Sequence, residues 1–187
     1  MAGPPREIKP LNPARSDVVI FTDGFAPDPR KKEKGLCSVG CVIFPRFAAR
    51  PVQFFEVVPQ TVIDKWLPRV TQICMIELLA PVLALETFQD YVRGKNVLLL
   101  VDAEAVEGAL VKGYASKEDL CELLGVFWDL ALALRCAIYI DRVPTDANCS
   151  DKASRGDLEL GRQLGWLTAQ ACWPKQVACD LAGPGTA

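Results

Sequence analysis

The chain has 187 residues, of which 50% are hydrophobic and 24% charged, an ordinary composition for one globular domain. It contains no histidine, which excludes Ser-His-Asp and Cys-His catalysis and removes the commonest transition-metal ligand. The net charge of −2 counts against tight, stand-alone binding of nucleic acid, because such binding usually needs a strongly basic surface. Any catalysis must therefore use carboxylates, Lys, Tyr, Cys or oxygen-bound cations such as Mg²⁺ or Mn²⁺.

The two ends of the chain differ in composition from its middle. Residues 1–15 contain four prolines and no hydrophobic period, which predicts a flexible leader, followed by one domain over 16–170 and a tail over 171–187. The leader lacks the apolar centre of a signal peptide, and nowhere do ~18 apolar residues follow one another as in a membrane span. We therefore expect an intracellular protein with no membrane partner. The eight cysteines lack zinc-site spacing and are expected to be free thiols.

The first predicted strand covers residues 17–24, an apolar, β-branched run that ends in Asp23-Gly24. Gly24 is expected to let the chain turn, and Asp23 alone could be no more than a turn residue. Two further strands are predicted at 36–44 and 52–58. Because short connections join the three strands, they are expected to form an antiparallel meander.

Two features of these connections leave alternatives open. Gly40, inside the second strand, predicts a β-bulge. The basic loop from Arg30 to Lys34 could contact phosphate groups or could be a solvated loop tip.

An almost wholly apolar helix is predicted over residues 72–91, and it carries one acid, Glu77, among Ile, Met and Leu. Burying an acid is costly unless it is paired or bound to a cation. The alternative is that Glu77 lies near the positively polarised start of the helix. Pro81 predicts that the helix either kinks or begins late.

A second apolar strand, at residues 97–102, ends in Asp102. A strand–helix–strand crossover from the first strand would make these two strands parallel. Ligand sites collect at the carboxyl ends of parallel strands. Asp23 and Asp102 are therefore expected at the same edge of the sheet.

The rest of the chain predicts helices over residues 103–112 and 117–134, a strand over 136–143, and a last helix that ends near residue 164. Ser116 is expected to cap the second of these helices, and Asn148 or Ser150 the last one. Asp151 lies in the first turn of the last helix. The helix macrodipole is a sufficient structural reason for an acid there.

The predicted order β-β-β-α-β-α-α-β-α implies an α/β fold with a five-stranded mixed sheet, in which three antiparallel strands are followed by two parallel ones, flanked by helices. Acids stand at strand ends or on helices: Asp23, Glu77, Asp102 and Asp151. Four carboxylates brought together would repel one another unless cations lay between them. Two divalent ions could bridge such a cluster and support phosphoryl transfer.

These motifs together resemble the ribonuclease H family over about residues 17–165. The matching segments are Phe21-Thr22-Asp23-Gly24, Ile76-Glu77-Leu78-Leu79-Ala80, Val97 to Asp102, and Asn148-Cys149-Ser150-Asp151-Lys152-Ala153-Ser154-Arg155. The last segment is more similar to ribonuclease H domains of reverse-transcribing elements than to the cellular enzymes. The resemblance implies a ribonuclease H-like fold and, as a partner, a tethered reverse-transcriptase polymerase domain.

The resemblance also implies an activity and a site. Asp23, Glu77, Asp102 and Asp151 would coordinate two Mg²⁺ or Mn²⁺ ions, and the enzyme would cut the RNA strand of an RNA–DNA hybrid. The candidates for substrate contact, besides the Arg30–Lys34 loop, are Gly24, Gln72, Asn148, Ser154 and Arg155. Each of these could instead be a helix cap or an ordinary surface residue.

The sequence departs from the family pattern in several places. The loop at residues 143–150 lacks the histidine that the family often has there, Phe25 and Ala103 stand where small residues often follow the acids, and no basic extension is present between residues 113 and 136. These departures suggest slower turnover and a hold on substrate that comes from elsewhere. Two alternatives therefore stay open: another nuclease of this fold (an exonuclease, resolvase or integrase-like enzyme), and a degenerate domain kept for scaffolding or binding.

Overall fold

The structure, a computed structural model, describes residues 16–178. The predicted leader, 1–15, and residues 179–187 of the predicted tail lie outside the described residues. Within 16–178 the chain forms six strands: β1 (Val18–Phe25), β2 (Ser38–Pro45), β3 (Val52–Val57), β4 (Asn96–Val101), β5 (Ala137–Arg142) and β6 (Leu167–Thr168). The helices of the same part of the chain are α1 (Gln60–Ile63), α2 (Ile73–Thr87), α3 (Gln89–Val92), α4 (Glu104–Lys112), α5 (Glu118–Ala133), α6 (Asp151–Ser154), α7 (Glu159–Gln163) and α8 (Lys175–Ala178).

The six strands form one mixed sheet in the order β5-β4-β1-β2-β3-β6. The antiparallel meander β1-β2-β3 and the parallel strands β4 and β5 confirm the predicted α/β arrangement. The sheet has six strands instead of the predicted five, because β6 pairs in parallel with the start of β3. A two-residue strand shows no hydrophobic period, so its sequence could not reveal it.

Helix α2 lies at the centre of the fold, against β1 and β2 on one side and α5 on the other. Ten of its residues, from Met75 to Leu85 with Glu77 left out, are buried, as expected for a helix that is apolar on all sides. The helix starts at Ile73 and continues through Pro81, so the predicted late start is wrong. Proline has no N–H group, and the regular helical hydrogen bond to the carbonyl of Glu77, four residues earlier, is therefore missing.

Three predicted details of the helices are wrong. The helix predicted over 72–91 is divided at Phe88 into α2 and α3. Helix α5 begins after Lys117, which makes no side-chain cap, so Ser116 is not its N-cap. The single last helix is divided into α6 and α7, because Gly156 between them has a φ of +82°, which is incompatible with a right-handed helix.

One hydrophobic core joins these elements and extends beyond residue 170, because Ala171 is buried in it and Trp173 and Val177 pack against it. Among residues 16–178, no two cysteines are joined by a disulfide bond. In the same part of the chain, no helix has the length and apolar character needed to span a bilayer.

Candidate active site

The parallel pairing of β1 and β4 brings the first two acids to one edge of the sheet. The last paired residues are Phe21 of β1 and Leu100 of β4. Asp23 and Asp102 each follow two residues later, so the register of the two strands places them side by side. This arrangement is the one that parallel strands with acids at their carboxyl ends predict.

Helix α2 carries the third acid to the same edge. Glu77 is in its second turn, and the first turn contains no acid, so the alternative of an acid at the helix start is not what the structure shows. The backbone of Glu77 lies against Gly24, which is inside β1. The prediction that the chain turns at Gly24 is therefore wrong, because β1 continues to Phe25.

Asp151, the fourth acid, is the first residue of α6. The loop before it is tied to β1, because the side-chain amide of Asn148 donates to the Thr22 carbonyl at 3.1 Å. The Ser150 hydroxyl donates to Asn148 Oδ1 at 2.6 Å. Ser150 is the N-cap residue of α6, one of the two predicted, but its side chain makes no capping hydrogen bond. Both residues fix the loop beside Asp23.

The electrostatics of the site centre on Asp23, which is only 6% exposed. Burial raises the pKa of Asp23 to about 7, a hydrogen bond with the Ser154 side chain opposes this shift, and the charges of Asp102 and Asp151 add to it. Burial also raises the pKa of Glu77 to about 8, again with a contribution from Asp102 and from Asp23. The four predicted acids thus share one electrostatic environment that carries excess negative charge.

This donor set fits hard divalent cations, since it consists of carboxylate oxygens without nitrogen ligands. Among residues 16–178, no three acidic or cysteine side chains converge closely enough to enclose a metal ion by themselves. Mg²⁺ does not require such a cage, because it usually keeps several waters and binds one or two carboxylates together with substrate phosphates. The residues therefore fit a site that carboxylates build in part and a phosphate completes.

Three of the five residues predicted to contact substrate are buried, and a fourth, Gln72, is half-buried and hydrogen-bonded within the protein. Gly24 and Asn148 are buried, and Ser154 is completely buried, with its hydroxyl against Asp151 and Asp23. The Gln72 amide donates to the Leu67 carbonyl at 3.0 Å. In this structure these side chains hold the elements that carry the acids, and their contact with substrate stays a prediction.

Arg155 is the exposed member of this set. Its side chain is 55% exposed, and its Nε lies 3.5 Å from Asp151 Oδ1. The guanidinium lies 4.8 Å from the centre of the Phe25 ring, a cation–π arrangement. Its charge opposes the rise in the pKa of Asp23. Arg155 therefore presents a fixed positive charge beside the acids.

The basic loop after β1 contains one residue that is already paired. The guanidinium of Arg30 donates hydrogen bonds to the Asp28 carboxylate at 2.8, 2.9 and 3.2 Å. The side chains of Lys31, Lys32 and Lys34 are exposed. These lysines stay candidates for phosphate contact, whereas the guanidinium of Arg30 is held by Asp28.

Sequence reasoning missed several residues around the site. It gave no role to Phe25 as a platform for Arg155, or to Ser38, whose hydroxyl donates to the Ser154 carbonyl at 2.6 Å. It also missed a groove of about 660 Å³ next to the start of α2, whose lining includes Cys74, Leu78 and Tyr114. An aromatic residue directly after Asp-Gly was the one signal in the sequence that pointed to Phe25.

No protein-family model matches the chain, and no curated protein matches it. Its structure does resemble solved structures. The N-terminal RNase H domain of Rv2228c from Mycobacterium tuberculosis has a TM-score of 0.54 and 16% identity, over 80% of this chain and 99% of that one. RNase H1 from the archaeon Halobacterium salinarum has a TM-score of 0.52 and 19% identity, over 76% of this chain and 97% of that one.

A third similar structure is LC11-RNase H1, isolated from compost by a metagenomic approach and solved in complex with an RNA/DNA hybrid. In that complex its TM-score is 0.54 and its identity 16%, over 74% of this chain and 94% of the other. Likeness at such low identity establishes architecture and leaves activity open. Together with the strand order and the helix positions, it shows that this chain has the ribonuclease H fold.

Proposed function

We propose that the protein is a metal-dependent endonuclease that hydrolyses the RNA strand of RNA–DNA hybrids. The observation that carries this proposal is the group of acids around Asp23, where the buried Asp23 and the half-buried Glu77 have pKa values raised to about 7 and about 8. A fold that needed these positions for stability alone would gain nothing from uncompensated buried charge. Such charge is useful where a cation binds.

Each acid has a role in this proposal. The carboxylates of Asp23, Glu77, Asp102 and Asp151 would together hold the metal ions. When bound there, two Mg²⁺ or Mn²⁺ ions supply an activated water and stabilise the leaving oxygen. Ser154 holds the Asp23 carboxylate by a hydrogen bond, and Arg155 offers a positive charge to a phosphate near Asp151.

The proposed substrate class rests on the fold and on the placement of the basic residues. LC11-RNase H1, which has the same fold, binds an RNA/DNA hybrid. Recognition of a hybrid depends on A-like geometry, phosphates and 2′-hydroxyls rather than on base sequence. Arg155 and the lysines of the Arg30–Lys34 loop are the proposed phosphate contacts, and Gly24, Gln72, Asn148 and Ser154 are proposed to support them.

The chain has few basic residues to hold a hybrid, since its net charge is −2. We propose that a tethered reverse-transcriptase polymerase domain supplies the missing affinity. The segment Asn148 to Arg155, which resembles domains of reverse-transcribing elements, motivates this context. In such a context the protein is proposed to act inside the cell. Other nucleases of this fold and a non-catalytic scaffold are the competing functions. The scaffold is favoured by the finding that no three acidic or cysteine side chains of residues 16–178 enclose a metal site.

A cleavage assay with a labelled RNA–DNA hybrid tests the proposal. With Mg²⁺ or Mn²⁺, the wild type should cut the RNA strand internally and leave the DNA strand intact. Asp23→Asn should abolish cleavage, whereas Asp146→Asn, at an exposed acid outside the cluster, should not change it.

The outcomes separate the three functions. Internal cuts in the RNA strand support the proposal, and stepwise loss from one end or cleavage of DNA supports another nuclease. If the wild type leaves the hybrid intact and its melting temperature does not respond to metal, the enzyme proposal is wrong and the scaffold remains.

A further inference from the structure

Two glycines flank Asp23, one along the chain and one across the sheet. Gly24 follows Asp23 in β1, and Gly40 of β2 is the cross-strand partner of Asp23. Successive side chains of a strand point to opposite faces, and cross-strand partners share a face. A side chain at residue 24 would therefore point to one face of the sheet. The Asp23 side chain points to the other face, as would a side chain at residue 40.

The first face is the one on which α2 lies. A Cβ atom added to Gly24 would come 2.6 Å from the Glu77 nitrogen and 2.8 Å from the Glu77 Cα. Both are backbone atoms, which cannot move away as the end of a flexible side chain can. Because residue 24 has no side chain, helix α2, which carries Glu77, can pack in direct contact with the backbone of β1.

The second face is the one on which α6 lies. A Cβ atom added to Gly40 would come 2.5 Å from the Ala153 carbonyl carbon and would also collide with the backbone nitrogen of Ser154. The first helical residue of this short helix is Asp151. The depth at which α6 lies on β2 therefore depends on the missing side chain at residue 40.

Neither glycine is needed for its backbone conformation. Gly24 and Gly40 both lie in regular β-ladders, neither has a positive φ, and the pairing register passes through Gly40 without a bulge, so the predicted bulge is wrong. The remaining reason for a glycine at both positions is the space that α2 and α6 need to pack against the sheet.

We infer that Gly24 and Gly40 are positioning residues for the acids: they set the depth at which α2 and α6 lie on Asp23, one on each face of the sheet. This inference rests on the proposed function, since it concerns the distances of Glu77 and Asp151 from Asp23. A methyl group at either position pushes one helix outwards and carries one acid away, while the other acid keeps its place. A displacement of about 1 Å at a reacting centre can cost on the order of 100-fold in rate.

The test compares Gly24→Ala and Gly40→Ala with a matched control, Gly161→Ala. Gly161 is also closely packed, because an added Cβ would come 2.5 Å from Gln53 Cδ, but that contact is with the end of a side chain rather than with backbone. It lies in α7, which carries none of the four acids. Two quantities are measured: the rise in melting temperature on adding Mn²⁺ without substrate, and kcat and KM for hybrid cleavage. The first quantity does not depend on turnover.

Both site variants should bind Mn²⁺ about 10- to 100-fold more weakly than the wild type, as expected when groups that orient the ligands are disturbed. Their kcat should fall by about 100-fold with KM nearly unchanged. The control should melt at a lower temperature but keep its full metal-dependent rise. A purely structural role for Gly40 would lower the melting temperature equally with and without metal, and that result would overturn the inference.

A rescue experiment ties Gly40 to one acid. In Gly40→Ala, Asp151→Glu lengthens the ligand by one methylene and should restore much of the metal-dependent rise. The same Asp151→Glu change in Gly24→Ala should restore nothing, because α6 has not moved there. Equal rescue in both backgrounds, or in neither, would count against separate positioning by the two glycines.

The inference stays testable if the alanine variants do not fold. Asp151→Glu alone, at the half-buried start of α6, should then weaken Mn²⁺ binding, because Gly40 fixes the depth of the helix and the longer acid no longer fits. An undiminished metal response would overturn the inference. A wild type with neither cleavage nor a metal response would overturn the proposed function as well, whereas a responsive wild type with an unchanged Gly40→Ala overturns only the positioning role.

Discussion

The carboxyl group of Asp23 interacts with the charges of three other residues of the site, Asp102, Asp151 and Arg155. It is buried, its pKa is raised to about 7, and Asp102 and Asp151 add to the shift that burial causes. Arg155 and the Ser154 hydroxyl offset part of that cost. Without a bound cation, the ionised carboxylate therefore destabilises the folded protein relative to the unfolded chain.

We predict that Asp23→Asn stabilises the metal-free protein. At pH 8, with a chelator present, its free energy of unfolding should exceed that of the wild type by about 1–3 kcal/mol. The folded-state pKa lies above the ordinary value of 3.8, so the wild type loses stability as the pH rises from about 4 through 7. The difference between variant and wild type should therefore disappear near pH 4.

Urea denaturation at both pH values measures this effect. Asp146→Asn, at an exposed acid outside the cluster, should change nothing at either pH. If Asp23→Asn were less stable than the wild type at pH 8, the acids would not be clustered in the metal-free protein.

The element that delivers Glu77 is anchored at its start by an ion pair. Asp119, at the start of α5, accepts hydrogen bonds from Arg69 at 2.6 and 2.7 Å and from the Leu67 N–H at 2.9 Å. Arg69 also donates to Gln72, the residue before α2. The irregular segment between α1 and α2 is thereby fixed to α5, and the start of α2 with it.

We predict that Asp119→Asn lowers the free energy of unfolding at pH 7 by about 1–2 kcal/mol. The hydrogen bonds from Arg69 are the main reason that the pKa of Asp119 falls to about 2, so the pair stabilises the fold above the ordinary value of 3.8. We expect less than the full equivalent of the shift, because the Arg69 side chain is 19% exposed. This stability is lost as the pH falls from about 4 through 2.

The measurement is urea denaturation at pH 7 and at pH 2, with Asp129→Asn as the control. Asp129 is an exposed acid on the same helix, so its replacement should have little effect at either pH. An Asp119→Asn variant that is equally destabilised at both pH values would show that packing, and not the ion pair, accounts for the loss.

At the scale of the whole molecule, the segment after residue 170 is part of the folded unit. The Cys172 N–H donates to the Thr87 hydroxyl at 2.9 Å, and the Trp173 indole donates to Glu56 at 3.2 Å. Ala171 is buried in the main core, against which Trp173 also packs. These contacts join residues 171–173 to α2 and β3.

We predict that a chain ending at residue 170 is less stable than one ending at residue 178 by about 2–3 kcal/mol, the value of burying one large apolar side chain. Thermal unfolding of the two truncated proteins measures the difference. Equal stability would place the end of the domain at residue 170, the boundary that composition predicts.

Local sequence patterns predicted much of this fold. Apolar, β-branched runs marked β1, β3, β4 and β5, and the apolar run around Glu77 marked α2, because side-chain periodicity is a property of each segment alone. The position of Asp102 directly after an apolar strand indicated where it would lie, since parallel strands share a carboxyl edge. The absence of histidine is a property of composition alone, and it left carboxylates as the main candidates for binding a hard cation.

Contacts between distant parts of the chain decided the rest. Ser154 lies behind Asp23, Asn148 ties its loop to Thr22, and Gly40 makes room for α6, although more than 100 residues separate the partners of each contact. A glycine in a strand is compatible with a bulge or with a close approach, and only the opposing helix distinguishes the two. The sequence by itself therefore determined which acids are available and in what order, whereas the packing of two helices on opposite faces of β1 and β2 decided how near those acids come to one another.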